Sequence, residues 1–148
     1  MLADDARLHI VYSGGVVYND RDEFLVIRRS SKEIHAAGQI AYPGGKVDHH
    51  KVTVNDILEK NCREEILEET GVEVEDKMEY LNSHCFIRND GIYVVGTLFL
   101  CKYKSGKLRP EPGESDEVFW MKFADMDKNK MIPQVYKVFE LAHQKLNS

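Results

Sequence analysis

The sequence predicts an α/β protein: a mixed β-sheet with helices packed against it. Three observations carry this. Strand-like runs outnumber helical ones along the chain. Their order is not a regular alternation of strand and helix, which disfavours a doubly wound fold. The 148 residues, 43% hydrophobic and 30% charged, suffice for one domain over residues 1–148 with a real core.

Each element has its own signal. LHIVYSGGVVYN reads as a strand interrupted at Gly14-Gly15, where a bulge or a close backbone approach is expected. DEFLVIRRS is a second strand, so residues 8–29 predict a hairpin turning near Asn19-Asp20. GQIAYPGGKV is a short extended run broken at Pro43-Gly44-Gly45. From about Thr53 to Thr70 the period becomes helical, with Thr53 and Asn55 as candidate N-caps and Gly71 at C′. YLNSHCFIR and GIYVVGTLFLCKY predict two long strands joined at Asn89-Asp90-Gly91. After the polar loop KSGKLRPEPGES comes a short strand, DEVFWMKF. IPQVYKVFELAHQKL closes the chain as an amphipathic helix with Pro133 near its start. Val135, Val138, Phe139 and Ala142 recur there at helical spacing and read as core.

Composition narrows the function classes. A net charge of -5 argues against a nucleic-acid polymer as partner, since such binding relies on basic patches. A small anionic substrate is still compatible, because a bound cation inverts the local field. Cys62, Cys85 and Cys101 form no CxxC pair and are odd in number, so reduced thiols are expected rather than a disulfide framework or a zinc knuckle. The opening MLADDARLHIV has neither the basic start nor the apolar run of a secretory signal, and no stretch reaches transmembrane length. A cytoplasmic protein is expected, with no membrane partner and a homodimer left open.

The most informative stretch is CREEILEETGV, residues 62–72. Glu64, Glu65, Glu68 and Glu69 crowd less than two helical turns, and like charges at i,i+4 oppose one another. At about 100° per residue, Leu58, Cys62 and Ile66 form an apolar stripe. Glu65 and Glu69 fall inside or at the edge of that stripe, with Glu68 beside it; Glu64 lies further round. A merely solvated acidic face would lie opposite the stripe. Carboxylates at i, i+3 and i+4 can converge on one cation, and oxygen ligands suit Mg²⁺ or Mn²⁺. On the helix alone, metal binding and a solvated face with snorkelling glutamates both stand. The preceding turn, Pro43-Gly44-Gly45-Lys46, favours the first. Its glycines let backbone approach a phosphate or present a carbonyl to a metal.

With these residues in view, the chain resembles the Nudix (MutT-like) hydrolases, whose box runs G-x5-E-x7-R-E-U-x-E-E-x-G-U with U aliphatic. Glu68-Glu69-Thr70-Gly71-Val72 anchors the match. Glu65 then takes the place of the glutamate of the R-E pair, Ile66 the first U, Asp56 the earlier glutamate and Gly45 the opening glycine. AYPGGKV and SDEVFWMKF resemble the flanking segments, so the similarity covers most of the chain. Three departures stand out. Ten residues separate Gly45 from Asp56 where the pattern has five, aspartate replaces glutamate at 56, and Glu64 occupies the arginine position with Arg63 one residue earlier. A register pairing Arg63 with Glu64 is the alternative. Glu65 is preferred, because it shares a face with Glu68 and Glu69.

The resemblance implies a Nudix α/β/α sandwich and hydrolysis of a nucleoside diphosphate linked to another moiety, by water attack on the pyrophosphate. It implies Glu65, Glu68 and Glu69 as catalytic residues and, with the Gly45 carbonyl, as ligands of Mg²⁺ (or Mn²⁺). In different members the base is a box glutamate or one from a later loop. Glu114, Asp116 and Glu117 are candidates on that ground, although each reads more readily as part of a solvated loop. Arg28, Arg29, Lys46 and Gly44 are expected to bind substrate, a small-molecule nucleotide. Neighbouring strand residues point opposite ways, so at most one of the two arginines is expected to face the site. His49-His50 has no zinc spacing and reads as exposed. His35 and Gln39 loosely resemble the upstream segment of coenzyme A-cleaving members, but the histidine lies one residue too far upstream. A binding or regulatory module of the same fold is the rival to an enzyme.

Overall fold

The computed structural model describes residues 8–32 and 37–148. In chain order these form β1 (Ile10–Tyr18), β2 (Glu23–Arg29), β3 (Ile40–Ala41), β4 (Gly44–Lys46), α1 (Ile57–Thr70), β5 (Glu73–Ile87), β6 (Tyr93–Ser105), β7 (Ser115–Lys122) and α2 (Pro133–Leu146). The strands make one mixed sheet of order β3-β2-β1-β6-β5, with β4 also on β1 and β7 also on β2. β1 runs parallel to β6, and the other pairings are antiparallel. The expected mixed α/β architecture is the one observed.

Alternation along the strands divides the core in two. Val16, Phe24, Val26, Leu98 and Leu100 pack with Val138, Phe139 and Ala142 of α2. Val17, Leu25, Phe99 and Cys101 pack with Cys62 and Ile66 of α1. A helix therefore covers each face, and β1 is buried on both sides from Ser13 to Val17. Cys62 and Cys101 are buried free thiols; Cys85 is a free thiol on the exposed edge strand.

Three expectations are corrected. Gly14-Gly15 does not interrupt β1, which pairs with β6 without a break from Ile10 opposite Val94 to Tyr18 opposite Lys102. The glycines serve the close approach instead. Gly15 N–H donates to the Pro43 carbonyl at 3.1 Å, and a Cβ on Gly14 would lie 2.6 Å from that same oxygen. The helix begins at Ile57 rather than Thr53, and neither Thr53 nor Asn55 caps it. Val52, Thr53 and Val54 are β-branched in succession and disfavour a helical start. The turn onto the helix is made by Asp56 at φ 53, a left-handed conformation that aspartate tolerates. The strand expected near Tyr80 begins at Glu73. Its acidic first half hides the pattern, and its pairing with β6 shifts register between Val74 and Met78 and again between Tyr80 and Asn82.

Other signals read directly. Gly71 ends α1 at φ 79 and donates to Leu67 O. Asn19 makes the β1–β2 turn, its Oδ1 accepting from the N–H groups of Arg21 and Glu23. Pro133 opens α2.

Candidate active site

The site grows from the PGG turn. β4 lies antiparallel on β1, Gly44 opposite Gly14 and Gly45 opposite Ser13, and α1 crosses over it. Asn61, buried in α1, donates to the Gly45 carbonyl at 3.0 Å and to Ser13 Oγ at 2.9 Å. Ser13 Oγ in turn donates to Leu58 O at 2.8 Å. This chain of hydrogen bonds fixes the glycine turn against the helix. No local pattern singles out Asn61, whose role depends on contacts to residues 16 and 48 positions away.

Glu65 rests on Gly45: a Cβ there would lie 2.6 and 2.7 Å from the two carboxylate oxygens. Glu69 accepts from the Gly44 N–H. Glu68 is exposed. Glu64 turns outward to pair with Lys60. Arg63 turns to β5, donating to Asp76 O and Met78 Sδ. The alternative pairing of Arg63 with Glu64 thus has both side chains directed away from the glycine turn.

Burial and mutual repulsion raise the proton affinity of Glu65 and Glu69. Glu65 is pushed up to about 7, chiefly by burial and then by the charges of Glu68, Glu111 and Asp48. Glu69 is pushed up to about 8 by burial and the Glu65 charge, with Glu111 and Glu114 adding, although the Gly44 N–H opposes the shift. Glu111 is raised in the same way, by burial, Glu114 and Glu68. It comes from the loop before β7, read in the sequence only as polar and proline-containing.

Among the described residues no three His, Cys, Asp or Glu side chains are gathered closely enough to hold a metal ion as they stand. Glu65 lies on Gly45 and Glu69 accepts from Gly44 N–H, with the exposed Glu68 on the same helix turn. The donor set nonetheless fits a hard divalent cation. It is all oxygen, it lies against a glycine cradle, and its proton affinities show a local excess of negative charge.

Beside this cluster opens a cavity of about 490 Å³ lined by Tyr12, Arg29, Tyr42, His84, Phe86 and Gln134, among others. Tyr12 joins cavity and carboxylates. Its hydroxyl stands over Gly44, and its pKa is raised well above the usual value by burial, then by Tyr42 and Glu69. Tyr42 is pushed up to about 12 by burial. His84, held low by burial, stacks on Phe86 with centroids 6.0 Å apart.

Of the paired arginines, Arg29 lines this cavity and Arg28 does not. Arg28 donates to Glu117 Oε1 at 2.8 Å and to Gly38 O at 3.1 Å, and lies over the Phe119 ring. The Arg28 guanidinium is thus engaged with Glu117 and Gly38 on the side of β2 away from this cavity's lining. Among the later acidic candidates, Glu117 is the partner of Arg28 and Asp116 accepts from Ser31 N–H. Only Glu114 acts on the cluster. Lys46 lines a different cavity with His9, Asp48 and His49. His35 lies outside the described residues.

Comparison with known proteins identifies the family and the fold. The NUDIX domain model matches residues 8–142. The chain belongs to the NUDIX family. Among solved structures, a MutT NUDIX hydrolase from Burkholderia pseudomallei is 26% identical, with a TM-score of 0.74 over 91% of this chain and 98% of that one. The MutT protein of Methanosarcina mazei Go1 is 21% identical, with a TM-score of 0.74 over 98% and 100% of the two chains, and shares the fold. So does the NUDIX domain of Shewanella oneidensis NrtR, complexed with ADP ribose: 18% identity, TM-score 0.74, 98% and 96% covered. No curated protein matches the sequence. The NUDIX sandwich expected from the box is therefore the fold of this chain, and among its described residues no helix is long and apolar enough to cross a membrane.

Proposed function

We propose that this NUDIX protein hydrolyses the pyrophosphate linkage of a nucleoside diphosphate derivative, an ADP-ribose-like compound or a (d)NTP. The observation that carries the reading is the seating of Glu65 and Glu69 on Gly45 and Gly44, beside a cavity walled by aromatic residues. Glu65, Glu68, Glu69 and the Gly45 carbonyl would hold Mg²⁺ or Mn²⁺. Such an ion, when bound, neutralises charge building on the pyrophosphate and lowers the pKa of water.

The chain's own residues divide the remaining work. Phe86, His84 and Tyr42 offer ring faces for a base, and Gln134 offers an amide to its edge. Arg29 offers a guanidinium fork to phosphate oxygens. A carboxylate Oε of the cluster not committed to the ion would take the proton of the attacking water. Asn61 holds the Gly45 carbonyl in place.

A second reading is a nucleotide-sensing module without turnover. Glu64 at the arginine position and the commitment of Arg63 to β5 favour it, and the NrtR domain complexed with ADP ribose shares the fold. Release of phosphate or nucleoside monophosphate from ADP-ribose, dNTPs, oxidised dGTP, dinucleoside polyphosphates and coenzyme A separates the two. Turnover of one class, lost on chelation and in Glu68→Gln with Glu69→Gln, is the expected result. Binding of nucleotides without turnover on any of them would give the sensing module first place.

A further inference from the structure

The NUDIX box places an arginine where this chain has Glu64, and the adjacent Arg63 is committed to Asp76 and Met78 on β5. The last turn of α1 carries Glu68 and Glu69 and has no basic residue of its own. A helix C-terminus already bears about half a negative charge, so two carboxylates there weaken the turn that presents them. The structure supplies the missing cation from elsewhere. Arg109, in the loop between β6 and β7, donates from Nη1 to Glu68 O at 3.1 Å and from Nη2 to Leu67 O at 3.2 Å. Its backbone N–H donates to Thr70 O at 3.0 Å. The planar fork thus spans two successive carbonyls of the last turn: Leu67 O, which also accepts from Gly71 N–H, and Glu68 O, whose helical donor Val72 N–H goes instead to Thr70 Oγ1.

The loop is seated by backbone as well. Gly71 and Gly106 meet so closely that a Cβ on Gly71 would strike Lys107 O and one on Gly106 would strike Gly71 O. The same loop continues to Glu111, whose carboxyl senses Glu68 and is sensed by Glu65 and Glu69.

We propose that Arg109 is the positioning residue of this active site, clamping the last turn of α1 so that Glu68 and Glu69 are held in place. The assignment rests on the metal-dependent reading of the cluster, and Arg109 is not placed in contact with substrate or cation.

The test uses the full chain and Mn²⁺ alone, without nucleotide. In Arg109→Ala, Mn²⁺ affinity should fall about tenfold, the scale of losing a group that orients a ligand. Amide exchange at Gly71, whose N–H closes the same turn on Leu67 O, should accelerate in the metal-free protein. The KM for the turned-over nucleotide should stay within about twofold, because Arg109 lines no part of the aromatic cavity. Arg109 is exposed, so the variant is expected to fold. Arg109→Lys, with charge but no fork, provides a second variant and should recover only part of the affinity. Unchanged Mn²⁺ affinity and unchanged Gly71 exchange in Arg109→Ala would overturn the proposal while leaving the metal reading intact. Wild-type protein that binds no Mn²⁺ would overturn both.

Discussion

Gly44 and Gly45 are neighbours, yet a methyl group at each would meet a different obstacle. At Gly45 the Cβ runs into the carboxylate of Glu65, the far end of a flexible side chain that can swing aside. Gly45→Ala should therefore change stability by no more than about 1 kcal/mol while displacing a proposed metal ligand. A fall in kcat/KM of about 10²-fold is expected, the cost of misplacing a reacting group by about an ångström. At Gly44 the obstacle is the Tyr12 ring, with Cζ at 2.6 Å, and the Gly14 Cα at 2.7 Å. Neither can retreat, because Tyr12 is packed against the α2 core and Gly14 is central strand backbone. Gly44→Ala should lose about 1–3 kcal/mol, as overpacked sites do. Thermal melts beside steady-state kinetics on both variants check the contrast. Equal stability losses would mean that Glu65 is as immobile as Tyr12.

At the scale of the element, α1 trades stability for charge. The folded proton affinities of Glu65 and Glu69, about 7 and about 8, lie above the ordinary 4.5. Groups raised in this way favour the fold most below the unfolded value, and that contribution is lost as pH rises through the folded one. The metal-free protein should lose stability between about pH 4.5 and 8. Mg²⁺ should restore more of it at pH 8 than at pH 5, and Glu65→Gln with Glu69→Gln should flatten the slope. A metal-free melting curve as steep in the double variant as in wild type would assign the dependence to other groups. The helix also shows what the sequence could convey. Its acidic residues, apolar stripe and closing glycine were legible because they repeat at the helical period or act within one turn. Its true start was not, since Asp56 turns left-handed to bring the chain onto the sheet. Nor were Asn61 holding Gly45 and Arg109 bridging the carbonyls of the last turn. These contacts bridge 16, 41 or more positions, and no local pattern reports them. Among the paired arginines, alternation allowed one to face the site, and only the structure shows that it is Arg29 rather than Arg28 that lines the cavity.

For the molecule as a whole, the sheet separates two tasks. α1 and β4 hold the carboxylates, whereas the aromatic cavity is walled by β5 and the start of α2. Phe86→Ala removes a ring face on which a base could stack, worth about 1–3 kcal/mol. Ground state and transition state would be stacked alike, so the loss should appear in KM with kcat nearly unchanged. Gly45→Ala acts on the reacting end and should lower kcat. If the two ends are energetically independent, their effects on kcat/KM should add as free energies to within about 0.5 kcal/mol in the double variant. Tyr12 is one path by which they could fail to add, because its hydroxyl stands over Gly44 while the residue also lines the cavity. A departure from additivity that vanishes in the Tyr12→Phe background would show that the hydroxyl couples base binding to the phosphate end. A departure that survives there would place the coupling in the β1–β4 backbone, where Gly14 and Gly44 already lie too close for any side chain to intervene.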